Sequence, residues 1–127
     1  IKRDVKTHEP QVSPEIYRRN VESIVDWFSL KQIELIWIQN GPIDEKLHNQ
    51  RSKSFHRFEA DMDAYNLAAQ PILDRNQVAM LDLPGFVNSL GPLSELLKDH
   101  GHYKDEIVKL QAAFITGYLI NRLTPSL

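Results

Sequence analysis

The stretch IELIWIQNGP, residues 33–42, sets the fold class of this chain of 127 residues. It is a short run of β-branched and aromatic side chains, interrupted only by Glu34 and closed by the turn residues 40–42, which predicts a strand that enters a turn. We expect this strand to be buried on both faces. A second short apolar run, residues 78–83 (VAMLDL), is stopped by Pro84 and Gly85 and predicts a second strand.

Three helices are predicted around these strands. Ser13, Pro14 and Glu15 favour a helix start, and the helix should end near Lys31. Its apolar stripe follows the i, i+3, i+4, i+7 pattern: Val21, Ile24, Val25 and Phe28. A second helix follows residues 55–71 and bends or ends at the proline there, and a third, residues 104–123, has a wide apolar arc. The polar residues 43–54 are expected to form a mobile loop.

The order helix, strand, helix, strand, helix predicts an α/β fold. The connections are long enough to be crossovers, so the two strands should be parallel. Parallel sheets are normally covered on both faces and have more than two strands. We therefore expect a flavodoxin-like three-layer fold, with a parallel sheet sandwiched between helices, that is incomplete in residues 1–127. A missing N-terminal segment or another chain is expected to complete the sheet.

Composition excludes several classes of function. Fifteen Lys and Arg stand against 17 Asp and Glu, so no large basic surface is available and we expect no nucleic-acid partner. No apolar run approaches the roughly 20 residues of a membrane span. The chain has no cysteine, which excludes disulfides and thiolate catalysis but leaves the cellular compartment undetermined.

The segment with the clearest chemistry is LKDHGHY, residues 97–103. Asp99 and His102 are three residues apart in a predicted loop, so the carboxylate can fold back onto one imidazole nitrogen while the other faces a cleft. A carboxylate that holds the ring in one tautomer makes histidine an effective general base. The alternative is a solvated loop whose aspartate caps the next helix.

Other residues are candidates for the same site. Asp99, His100 and His102 could be three metal ligands, but no fourth ligand has suitable spacing, so we expect neither a metal nor a cofactor. We place His100 at the mouth of the cleft. Asn40 and Gly41 follow the first strand and are candidate substrate-cleft residues, the alternative being an ordinary turn.

From Ser13 onward the chain resembles the C-terminal half of an SGNH (GDSL-type) hydrolase domain. The resemblance rests on the helix SPEIYRRNVESIVDWF, the strand IELIWIQNGP, the pair Tyr65-Asn66, the strand VAMLDL and a final D-x-x-H before the last helix. It implies that Asp99 is the acid and His102 the base of a serine triad that cleaves acyl or acetyl esters. Family substrates include lipids, acetylated sugars and small esters.

The chain also departs from the family pattern. The family nucleophile lies in a G-D-S motif after the first strand, and this sequence has no such motif. None of its serines follows a first strand: Ser13, Ser23, Ser29, Ser52, Ser54, Ser89, Ser94 and Ser126. At the expected oxyanion block, Arg3 stands where the family has asparagine, and arginine could still donate to an oxyanion. We expect the chain alone to be inactive, and the alternative is a non-catalytic binding or assembly domain.

Overall fold

The computed structural model describes residues 1–124, so Ser126 lies outside the described residues. The elements follow in this order: β1 Arg3–Asp4, α1 Pro14–Leu30, β2 Ile36–Ile38, α2 Glu45–Arg51, β3 Phe55–His56, α3 Glu59–Arg75, β4 Ala79–Leu81, α4 Leu83–Ser89, α5 Leu93–Leu96 and α6 Asp105–Leu123. The predicted α/β class is confirmed, as are the three long helices and the two main strands.

The strands β2 and β4 form the predicted parallel pair, in which Trp37 lies opposite Met80. Helices α1 and α3 pack against each other, and the side chains of Trp37 and Met80 contact the core between these helices. That core consists of five buried residues: Val21, Val25, Ala69, Ile72 and Leu73. One layer of helices therefore lies on the parallel pair.

A second core joins the last three helices. Val87 of α4, Leu96 of α5 and Ile107 of α6 are buried together. The rings of Phe86 and Phe114 stack with their centroids 4.2 Å apart and fasten α4 to α6. This cluster fixes the start of α6 and with it the loop that precedes α6, residues 97–104.

The first strand is shorter and more exposed than predicted. Its regular part is Ile36–Ile38, and Ile38 is 41% exposed. Burial on both faces is therefore a wrong expectation for the part of the chain described, because the α1–α3 core packs on Trp37, whereas the next residue, Ile38, points to the opposite face and is outside that core. The wide apolar arc of α6 is also largely exposed: Val108, Leu110, Leu119, Ile120 and Leu123.

The segment 43–54 is not a mobile loop. Asp44 caps α2 by accepting a hydrogen bond from the backbone N–H of Leu47 at 2.8 Å. After α2, β3 pairs antiparallel with β1, and Arg3 lies opposite His56. The second long helix also begins later than predicted, at Glu59, and continues through Pro71 to Arg75. None of the described helices has the length and apolar character that a bilayer span requires.

The Asp99–His102 loop as a candidate active site

The candidate loop is a narrow hairpin between α5 and α6. Leu97 and Tyr103 form an antiparallel bridge, and the N–H of Lys98 donates to the carbonyl of His102 at 2.9 Å. The N–H of Lys104 donates to the carbonyl of Leu96 at 2.9 Å. The hairpin therefore begins and ends beside the buried cluster of α4, α5 and α6, and its tip, residues 99–102, projects from it.

Asp99 organises the tip of this hairpin. Its Oδ1 accepts hydrogen bonds from the backbone N–H groups of Gly101 at 2.7 Å and His102 at 2.8 Å. Its Oδ2 lies 2.9 Å from Nδ1 of the His102 ring. The Gly101 N–H and then the His102 ring lower the pKa of Asp99 to about 2. Asp99 is thus an ionised acceptor at neutral pH.

The contact with Asp99 determines which nitrogen of His102 can act as a base. An ionised carboxylate can only accept hydrogen bonds, so Nδ1 of the neutral ring must carry the proton and Nε2 must have the free lone pair. The His102 side chain is 73% exposed and that of Asp99 is 40% exposed. Nε2 is therefore available to a group brought to the hairpin from outside it.

A cavity of about 220 Å³ lies beside the hairpin. Asn40 and Gly41 line it from the end of β2, and Gly101 lines it from the hairpin. The hydroxyl of Tyr103 donates to the carbonyl of Pro42 at 3.1 Å. A side chain at position 41 would meet this hydroxyl, because a Cβ there would be 3.1 Å from it. Glycine at 41 therefore lets the β2 turn and the hairpin approach each other.

Of the predicted cleft residues, His100 has a different position from Asn40 and Gly41. It is not among the residues that line the cavity. Its backbone carbonyl lies 3.1 Å from Nδ1 of His48, and the two rings pack with centroids 5.2 Å apart. His100 thus connects the hairpin to α2.

The guanidinium of Arg3 makes its hydrogen bonds with Asp61 and His8. Its Nε and one terminal nitrogen donate to the two carboxylate oxygens of Asp61, each at 2.6 Å, and the other terminal nitrogen donates to the carbonyl of His8 at 2.7 Å. The hydrogen bonds to Asp61 raise the pKa of Arg3. Asp61 is buried, so the pair ties β1 to the first turn of α3. These contacts engage the guanidinium within the fold.

Sequence reasoning missed two residues near the site, His48 and Arg57. His48 is 3% exposed and is the buried residue of α2. Arg57 lines the cavity, and the side chain of Asn49 holds its backbone N–H and carbonyl at 2.9 Å each. His48 has no local motif that marks it, because its contact on the hairpin, His100, is 52 residues away in the sequence. Among residues 1–124, no three His, Asp or Glu side chains are grouped to hold a metal ion.

No protein-family model and no curated protein matches this sequence. Solved structures do match. The crystal structure of a lipase/acylhydrolase from Enterococcus faecalis is 17% identical with a TM-score of 0.69, over 93% of this chain and 57% of that one. An alpha/beta hydrolase enzyme from the metagenome of Lake Arreo, Spain, is 17% identical with a TM-score of 0.63, over 89% and 50%. A protein described as a GDSL-like lipase from Parabacteroides merdae is 13% identical with a TM-score of 0.65, over 87% and 51%.

These similarities define a class of fold, a layered α/β fold with a sheet packed against helices. Within that class, the chain has the fold of the C-terminal portion of an SGNH-like domain. It spans between about half and three-fifths of the length of each of these structures. At this level of identity the comparison establishes the fold alone.

Proposed function

We propose that this chain supplies the acid and base of an SGNH-type serine ester hydrolase. The observation that carries the proposal is the 2.9 Å contact between Oδ2 of Asp99 and Nδ1 of His102, on a hairpin whose imidazole is exposed. The fold that the chain shares with a lipase/acylhydrolase and a GDSL-like lipase supports it. The cavity lined by Asn40, Gly41 and Gly101 is the proposed substrate cleft.

In the proposed reaction, Nε2 of His102 takes the hydroxyl proton of a serine as its oxygen attacks the ester carbonyl. The C–O bond to the alcohol then breaks, and the imidazolium returns the proton to the departing alkoxide. Water, activated by the same nitrogen, hydrolyses the acyl-enzyme and releases the acid. Asp99 remains ionised throughout and stabilises the imidazolium, which its pKa of about 2 permits.

The serine is proposed to come from a further segment of the polypeptide or from another chain. Three of the described serines have other roles: Ser13 caps α1, Ser52 donates to the carbonyl of Phe55, and Ser89 donates to that of Phe86. Within residues 1–124 no serine hydroxyl is hydrogen-bonded to His102. We therefore expect the chain alone to be inactive toward esters. Lipid, acetylated-sugar and small acyl esters remain the candidate substrate classes.

The test is hydrolysis of a short-chain p-nitrophenyl ester by the polypeptide that includes the G-D-S segment. His102→Ala should lower kcat/KM on the order of 10⁴-fold, because loss of a triad member removes most of the catalytic effect. His56→Ala is the matched control, since the His56 ring of β3 packs on Phe58 at the start of α3. Unchanged hydrolysis in His102→Ala, or a coding frame without G-D-S and without a partner that carries it, would contradict the proposal.

A second candidate is a non-catalytic SGNH-like binding or assembly domain. The observation that favours it is Arg3, which stands at the expected oxyanion block with its guanidinium bound to Asp61 and the His8 carbonyl. An engaged guanidinium is a poor oxyanion donor. The same hydrolysis assay separates the two candidates, because a binding domain would show no serine-dependent turnover with any segment added.

A further inference from the structure

We propose that His48 is a positioning residue for the Asp99–His102 pair, acting through the backbone carbonyl of His100. The role of His48 in catalysis rests on the proposed function. Its effect on the geometry of the Asp99–His102 pair can be measured without any hydrolysis. Nothing in the local sequence of α2 marks His48 as part of a site 50 residues further along the chain. The contact between α2 and the hairpin brings the two together.

The ring of His48 is buried and is in contact with the hairpin. The side chain is 3% exposed and packs between the rings of Phe55 and His100, each with its centroid 5.2 Å away. Among residues 1–124, its Nε2 is buried and has no hydrogen-bond partner. An apolar side chain would fill this space without an unsatisfied nitrogen. An imidazole adds a directed interaction that an apolar side chain lacks, the contact of Nδ1 with the His100 carbonyl at 3.1 Å.

That contact assigns the tautomer of His48. A carbonyl oxygen only accepts, so Nδ1 must carry the proton and donate, which leaves Nε2 unprotonated. Burial lowers the pKa of His48, so the ring is neutral at physiological pH. A neutral ring with its proton on Nδ1 is a fixed donor aimed at the hairpin.

The carbonyl that receives this bond lies at the centre of the catalytic geometry. The carbonyl of His100 and the N–H of Gly101 belong to the same peptide group, and that N–H donates a hydrogen bond to Asp99. A contact that fixes this peptide group therefore orients the turn that presents His102. Two hydrogen bonds join residues 97–103 to the α2 side of the fold within the described chain, the other being Tyr103 to the Pro42 carbonyl. His48 alone reaches the tip of the hairpin, while Tyr103 holds its base.

The test compares two amide substitutions of His48. In His48→Asn the side-chain NH₂ can occupy the place of Nδ1 and donate to His100, whereas in His48→Gln the amide extends toward the place of Nε2. We expect His48→Asn to keep the Asp99 carboxyl titrating at about 2, as in the wild type. In His48→Gln the pKa of Asp99 should rise toward its ordinary value of 3.8. Carboxyl ¹³C NMR measures both titrations. Amide exchange at Gly101 and His102 should accelerate about tenfold or more in the Gln variant alone.

His56→Gln is the matched control and should change neither reading. If His48→Gln leaves Asp99 and both amides unchanged, or if His48→Asn perturbs them as strongly, His48 only fills space and the inference is wrong. Should His48→Gln fail to fold, long-range ¹H–¹⁵N correlations of the wild type decide, because a proton on Nε2 instead of Nδ1 overturns the inference. None of these readings needs hydrolysis, so they stay valid if His102→Ala shows that the proposed function is wrong.

Discussion

Asp82 and Gly85 form a coupled pair at the start of α4. The Asp82 side chain caps the helix by accepting the Gly85 N–H at 2.8 Å. A Cβ on residue 85 would be 2.1 Å from the other carboxylate oxygen, so alanine there must displace the cap. Asp82 directly follows β4, and the contact of its side chain is this helix cap.

We therefore predict that the effect of Gly85→Ala on the free energy of unfolding changes sign when Asp82 is also replaced by alanine. In the wild type the gain in helix propensity, roughly 0.5–1 kcal/mol, is offset by the lost cap, which contributes about 1 kcal/mol. In Asp82→Ala, which by itself should cost about 1 kcal/mol, Gly85→Ala should stabilise the protein because no carboxylate is displaced. Urea unfolding of the four proteins measures the coupling, and strictly additive free energies would refute it.

At the residue scale, the Asp99–His102 pair could be predicted from the sequence, but the contact of His48 with the hairpin could not. Asp99 and His102 are three residues apart, so local spacing alone allows the contact that the structure contains. His48 meets His100 across 52 positions, and its helix has no apolar stripe to indicate an inward face. Arg3 could be aligned to a family position, but its pairing with Asp61 across 58 positions depends on the fold.

At the scale of elements, length separates what could be predicted from what could not. Helices α1 and α6 have 17 and 19 residues, which is long enough for an apolar pattern to repeat. Helix α2 has seven residues, and its buried side chain is a histidine, so no such pattern exists. The two-residue strands β1 and β3 pair across about 50 positions, and strands of that length have no periodicity of their own.

Pro71 is the element-scale exception, because α3 continues through it for four more residues. The ring is exposed, while the next two residues, Ile72 and Leu73, are in the core. Helix formation therefore proceeds despite the lost N–H, because packing of α3 on α1 outweighs local propensity.

We predict that Pro71→Ala stabilises the chain by about 2–3 kcal/mol. Alanine restores a helical hydrogen bond and removes a cost of about 3 kcal/mol, and the freer unfolded chain offsets up to about 1 kcal/mol of the gain. Chemical denaturation measures the change. Leu67→Ala, at a 74% exposed position of the same helix, should stay within about 0.5 kcal/mol. A destabilised Pro71→Ala protein would mean that the ring itself supports the contact with α1.

At the scale of the whole molecule, large apolar side chains and open strand edges are exposed together in the described chain. Trp27, Ile38, Ile120 and Leu123 are all more than two-fifths exposed, and β2 and β4 each have an outer edge without a neighbouring strand in the described chain. Such edges and patches mark places where further chain can pair. They are consistent with a fold that spans 57% of a complete lipase/acylhydrolase.

Ile38 allows this interpretation to be tested in both directions. In the isolated chain, Ile38→Lys should reduce self-association, measured by sedimentation, because a lysine on an open strand edge opposes strand pairing while removing exposed apolar surface. In a polypeptide that adds the proposed G-D-S segment, the same change should instead destabilise, by about 2 kcal/mol or more, since the charge would be buried against a new strand. Leu67→Lys places the same charge on an exposed position of α3 and should have neither effect. If Ile38→Lys is neutral in the longer polypeptide, that face of β2 is solvent-facing in the finished fold, and the further segment must join the chain elsewhere.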